Sequence, residues 1–187
     1  MFKRSEDRKE EAQLDQQKRE QFEARVLPHL GAAYNLARWL TRNDHDAEDV
    51  VQESYLRAYK FFGGFRGGDG RAWLLTIVRN TCYTWFQQNR PRELSASIDG
   101  AANNIESDAP SPEAELIKSV DRKLIAKALE ELPLEFREVL VLREMEGMSY
   151  KEIADITEIP LGTVMSRLAR ARKRLEQSLA PDVSRKA

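Results

Sequence analysis

The stretch from Ser149 to Leu175, SYKEIADITEIPLGTVMSRLARARKRL, leaves few folds open. Ser149 with Glu152 three residues on is a capping-box pattern, in which the serine hydroxyl and the glutamate carboxylate each satisfy a backbone N–H at a helix start. The helix it opens at Tyr150 is short and ends near Ile156; TEIP is the turn, and a second helix runs from about Leu161 to Gln177. A short capped helix, a tight turn and a longer basic helix make a helix-turn-helix. On the second helix Val164, Leu168, Ala171 and Leu175 recur on one side and must pack inward. Thr163, Ser166, Arg167, Arg170 and Arg174 then point outward. Hydrogen-bonding side chains early on the helix and arginines further along suit a major groove, where the first meet base edges and the second meet phosphates. A solvated basic face is the competing reading of any Lys/Arg run, and the capped helix and turn directly before this one favour DNA.

Upstream the pattern stays helical. Residues 1–20 are almost entirely charged or amide-bearing, which fits a solvated, fraying helix or a disordered extension. From Phe22, apolar residues recur at Val26, Leu30, Ala33, Leu36 or Ala37, and Leu40, with Pro28 a start or kink. DAEDVVQESYLRAYKFF follows, capped by Asp46, with Ala47, Val50, Val51, Ser54, Tyr55, Ala58 and Phe62 as its inward stripe. After the loop GGFRGGDG, a further helix buries Trp73, Leu74, Ile77 and Val78 and ends before Pro91. Residues 92–112 are poor in large apolar groups, rich in Ser, Asn, Asp, Ala and Pro, and read as an extended linker. A second domain spans 113–180, with Pro133 at one helix start and Gly147 at its end. No segment alternates as a strand would. The expected fold is all-α: an N-terminal extension over 1–20, a helical domain over 21–91, the linker, and a second helical domain.

The 187 residues are 33% charged, yet the formal net charge is −1, which excludes a uniformly basic nucleic-acid coat. The charge is instead segregated, acidic around Asn43 to Glu53 and basic around Arg167 to Arg174, as in a chain with more than one partner. One cysteine, Cys82, rules out an intramolecular disulfide, and no apolar stretch approaches a membrane span, so a cytoplasmic protein without membrane insertion is expected. His29, His45 and Cys82 lack metal-ligand spacing. A calcium loop counted from Asp44 fails, with Asp49 where glycine is needed and Tyr55 where a bidentate glutamate is needed. GGFRGGDGR lacks the Gly-Lys-Ser/Thr of a phosphate loop. No nucleophile, base and orienter assemble, so neither metal, cofactor nor enzyme chemistry is expected.

LPLEFREVLVLREMEGMSYKEIADITEIPLGTVMSRLARARKRL resembles region 4 of bacterial sigma factors, and AEDVVQESYLRAYKFF with FRGGDGRAWLLTIVRN resembles their region 2. The order and two-domain length are similar to the extracytoplasmic-function, or ECF, group. The resemblance implies a promoter-specificity subunit of RNA polymerase. Region 4 would read the minus-35 element and dock on the β flap, and region 2 would bind the β′ clamp helices and open the minus-10 element. It assigns Asp49, Gln52 and Glu53 to the clamp, although from spacing alone they are a solvated face. It assigns Arg79, Asn80, Tyr83, Gln87, Asn89 and Arg90 to the opened minus-10 strand, where an aromatic face stacks an unpaired base and amides and arginines meet edges and phosphates. Relatives often carry a basic residue where this chain has Met165 and an acid near Thr84. An anti-sigma partner is implied by resemblance alone. The alternative is a stand-alone helix-turn-helix regulator, which binds duplex DNA unaided.

Overall fold

A computed structural model describes the backbone of residues 3–93 and 122–183, and every regular element among them is helical. The chain divides into two compact units, the first ending at Trp85 and the second starting at Phe86. The proposed linker lies outside the described residues except for its first two.

The first unit opens with α1 (Lys3–Val26). The charged extension is thus continuous with the apolar turn that follows, and a 3₁₀ turn at Leu27–His29 interrupts the helix at Pro28, where the sequence suggests a start or kink. Pro28 explains the break, since its ring fixes φ and its nitrogen offers no donor. After it come α2 (Leu30–Thr41) and α3 (Asp44–Phe61). The cap of α3 is Asn43, not Asp46: Asn43 has extended backbone and its side chain accepts from the Asp46 N–H at 3.1 Å. Asp44 ties the start of α3 back to α2, pairing with the Arg38 guanidinium and accepting from the Tyr34 hydroxyl at 3.4 Å. Burial first and the Asp44 charge second raise the Tyr34 pKa, so the phenol remains a donor.

Phe22 is fully buried at the centre of an aromatic cluster, with its ring 5.1 Å from Tyr55, 5.2 Å from Tyr59 and 5.3 Å from Phe62, all edge-on. Phe65 and Trp73 extend that cluster through Phe62 into the loop and the next helix. Edge-to-face pairs are the geometry that aromatic quadrupoles favour. The next helix, α4 (Gly70–Glu93), buries Leu74, Leu75, Val78 and Cys82, with Trp73 and Ile77 only half-buried. It passes Pro91, which falls in its last turn, rather than stopping before it.

In the second unit, α5 covers 122–130 and α6 is Leu134–Leu140, with Pro133 at its N-cap. Val141–Met145 continues as a π turn, and Gly147 then takes the left-handed φ of +65° that lets the chain reverse. The capping box is present: Ser149 Oγ accepts from Glu152 N–H at 3.2 Å and Glu152 Oε2 accepts from Ser149 N–H at 2.7 Å. It opens α7 (Tyr150–Thr157), and α8 follows as Leu161–Val183, longer than its apolar spacing suggested.

Gly70 and Gly31 separate packing from backbone freedom. A Cβ at position 70 would stand 2.5 Å from the Arg25 carbonyl oxygen, whereas nothing lies within 4 Å of one at position 31. All three tryptophans, Trp39, Trp73 and Trp85, fall in the first unit, so their fluorescence reports its unfolding. In urea melts of the full chain, Gly70→Ala is expected to destabilise that unit by about 1–3 kcal/mol through overpacking. Gly31→Ala, in the helical α2, should stabilise it by about 0.4–1 kcal/mol. Equal midpoints for the two variants would show that α1 does not abut the start of α4.

Candidate nucleic-acid interface

The orientation of α8 follows from its buried side. Val164, Leu168 and Ala171 are 0%, 1% and 0% exposed, and Leu175 is half-buried, as their spacing predicted. α7 opposes them with Ile153 and Ile156, and α6 with Val139 and Leu140, all buried. The turn between α7 and α8 is closed by Glu158 in a left-handed conformation, φ 56°, by Ile159 N–H to Ala154 O at 3.2 Å, and by Thr163 N–H to Pro160 O at 2.8 Å.

The five outward residues fall into two rows. Ser166 and Arg170 are exposed one turn apart on the crest opposite the buried side, and exposed Lys173 continues the same row. Sequence reading omitted Lys173 from the site, although its spacing from Ser166 and Arg170 was enough to include it. Thr163 and Arg167 are half-buried on the flank, and Arg174 further along that flank lies 4.9 Å over the Phe136 ring of α6. On the opposite flank, Arg172 donates to Glu144 Oε1 at 2.6 Å through Nη2 and 3.2 Å through Nε. The Glu144 hydrogen bond raises the Arg172 pKa further. Arg143 holds the approach to α7, donating to Met148 O at 2.8 Å and lying 5.0 Å over the Tyr150 ring.

On α3, Asp49, Gln52 and Glu53 are all exposed, opposite buried Ala47, Val50 and Ser54. Glu53 is engaged by Arg57 Nε at 2.7 Å, one turn on. Leu56 and Phe61, 64% and 60% exposed, add apolar surface to this helix. On α4, Arg79 is stacked 4.4 Å over the Tyr83 ring and donates to Asn80 Oδ1 at 3.2 Å, which brings three of the candidate strand-binding residues together. Gln87 is exposed and Asn89 half-buried further along the helix; the Arg90 side chain lies outside the described residues. No group of three potential metal ligands occurs among the described residues, and no described helix is long and apolar enough to cross a membrane.

Sigma-70 region 2 matches residues 26–92, and Sigma-70 region 4 matches residues 122–175. The ECF RNA polymerase sigma-E factor of Haemophilus influenzae is 36% identical across 78% of this chain and 80% of that protein. Its counterpart in Escherichia coli K12 is 35% identical across 75% and 77%. Among solved structures, the sigma factor RpoE in complex with the anti-sigma factor NepR from Bartonella quintana superposes with a TM-score of 0.67 and 33% identity, covering 86% of this chain and 97% of that one. CnrH in complex with the cytosolic domain of CnrY gives 0.60 and 26%, covering 91% and 95%. With an exposed acidic row on the region 2 match and a capped helix-turn-helix on the region 4 match, this chain belongs to the ECF sigma factors, the sigma-70-type promoter-specificity subunits of RNA polymerase.

Proposed function

We propose that the chain divides promoter recognition and polymerase binding between named surfaces. The crest of α8, with Ser166, Arg170 and Lys173, reads the minus-35 element, while Thr163 and Arg167 meet flanking phosphates from the side. The observation that carries this is the rotation of α8, which buries Val164, Leu168 and Ala171 and leaves the polar crest facing solvent. Arg174 acts first through its contact with Phe136, which braces the helix, and only then through any phosphate within reach. Asp49, Gln52 and Glu53 bind the β′ clamp helices, and region 4 docks on the β flap. Arg79, Asn80, Tyr83, Gln87, Asn89 and Arg90 receive the opened minus-10 strand, with the Arg79–Tyr83 stack offering a cationic aromatic platform to an unpaired base.

The domains follow the same division, region 2 to about residue 91 and region 4 from about 113, joined by the 92–112 linker. Bond formation belongs to the polymerase, and the chain works in the cytoplasm where core enzyme and promoter meet. The solved complex of RpoE with the anti-sigma factor NepR supports control of this chain by an anti-sigma partner. Run-off transcription with purified core polymerase and host promoter fragments, with transcripts sequenced from their 5′ ends, tests the whole reading. Discrete starts that need both proteins support it; specific duplex binding by the chain alone, with no such starts, would indicate a stand-alone regulator.

Arg170→Ala is expected to weaken recognition of the mapped promoters by about 1–3 kcal/mol with core affinity unchanged. Arg174→Ala should instead lower the stability of the second unit by about 0.5–1 kcal/mol, the worth of an exposed cation–π contact, with a smaller effect on promoter choice. Equal promoter defects in the two variants would overturn the division into crest and flank. Reversing Asp49 and Glu53 together to lysine should lower affinity for core polymerase while the fold persists, because the Glu53–Arg57 pair it breaks is worth only about 0.3–0.5 kcal/mol. Stoichiometric co-purification of that variant with core would refute the clamp assignment.

A further inference from the structure

Beside the polar crest of α8 runs a second, apolar row. Leu161 and Met165 are one turn apart, 49% and 52% exposed, and exposed Ala169 continues the row. Single apolar residues scattered over a surface are ordinary. Two large ones in register, on the N-terminal turns of a helix whose neighbouring row is Ser166, Arg170 and Lys173, form a continuous apolar edge to a polar reading face.

The major-groove floor is lined with hydrogen-bond donors and acceptors, and its apolar projection is the thymine C5 methyl. A leucine has no polar group and a methionine only a weakly accepting sulfur, so neither can pair with a guanine or adenine edge. Set against a G·C pair, they would leave base-edge groups without water or partner, a cost that discriminates as strongly as an attractive contact. Against a thymine methyl they exchange two wetted apolar surfaces for one contact.

We infer that Leu161 and Met165 read a thymine methyl, so that the upstream element this chain selects contains an A·T pair beside the bases met by Ser166 and Arg170. The inference rests on α8 lying in the major groove, and the test separates the two. Holoenzyme formed from core polymerase and the full chain is titrated onto promoter duplexes taken from the start-site mapping. Each thymine of the upstream element, on either strand, is replaced in turn by deoxyuridine, which pairs identically but lacks the methyl.

For the wild type, one such replacement is expected to weaken binding roughly fourfold, the effect of withdrawing one methyl from an apolar contact. Met165→Ala or Leu161→Ala should already bind the unmodified duplex more weakly and lose little or nothing more at that thymine. Both side chains are half-exposed, so folding is not at issue in either variant. A wild type indifferent at every thymine, or an upstream element without any A·T pair, overturns the methyl contact while an intact Arg170→Ala defect leaves the groove reading standing. A methyl effect undiminished in both alanine variants assigns the contact to another side chain and also overturns it. Loss of the Arg170→Ala defect itself would instead bring down the groove reading.

Discussion

Everything α8 presents to its surroundings depends on how the helix is rotated about its own axis, and three side chains set that rotation. Val164, Leu168 and Ala171 are sealed against α6 and α7, and a slip of one residue would swing every outward group by about 100°. Burial alone fixes the angle coarsely, since an apolar stripe is wide. The flanks refine it: Arg174 is held over Phe136 on one side and Arg172 on Glu144 on the other. Each contact is exposed and worth little energy. Placed on opposite flanks, they oppose rotation in both senses, and the crest between them keeps Ser166, Arg170 and Lys173 clear of intramolecular packing.

The first unit has a comparable anchor in Phe22. Its ring meets Tyr55 and Tyr59 of α3 and Phe62 beyond it, so the inner side of α3 is occupied along its C-terminal half by α1. Ala47, Val50, Ser54 and Ala58 are buried on that inner side, and the outer row of Asp49, Gln52 and Glu53 is exposed as a consequence. The same helix α1 lies close enough to the start of α4 that only glycine fits at position 70. The last turn of α1, from Phe22 to Val26, is therefore a wall of the unit.

Local patterns were legible where one rule acted alone. The Ser149–Glu152 box, the left-handed Gly147 and the inward row of α8 depend on neighbours within a few residues, and each was readable from sequence. Asn43 displaced Asp46 as the cap because both have capping side chains and only the backbone path into α3, extended at Asn43, decides between them. The charge density of residues 1–20 left a solvated helix and a disordered extension both open, because α1 is held at its far end, where Phe22 meets Tyr55, Tyr59 and Phe62 more than thirty positions away. Arg174 looked like another outward arginine, and the Phe136 ring that receives it lies nearly forty residues earlier. Contacts of that separation leave no periodicity to read.

The charge arrangement explains why recognition on the proposed reading needs the polymerase. The chain carries a net charge of −1, and the cations on the α8 crest and beside it are few: Arg170, Lys173 and Arg167, with Arg174 turned onto Phe136. Affinity for duplex DNA grows with phosphates neutralised, and the log–log salt slope steepens by roughly 0.9 for each. About three such contacts give a shallow slope and weak binding by a separated region 4. The acidic row on α3 subtracts from any long-range attraction the chain has for DNA. A base-reading crest with so thin an electrostatic footing can discriminate between sequences but cannot hold one, and it becomes effective only when a partner that binds the acidic row supplies the remaining grip on the duplex.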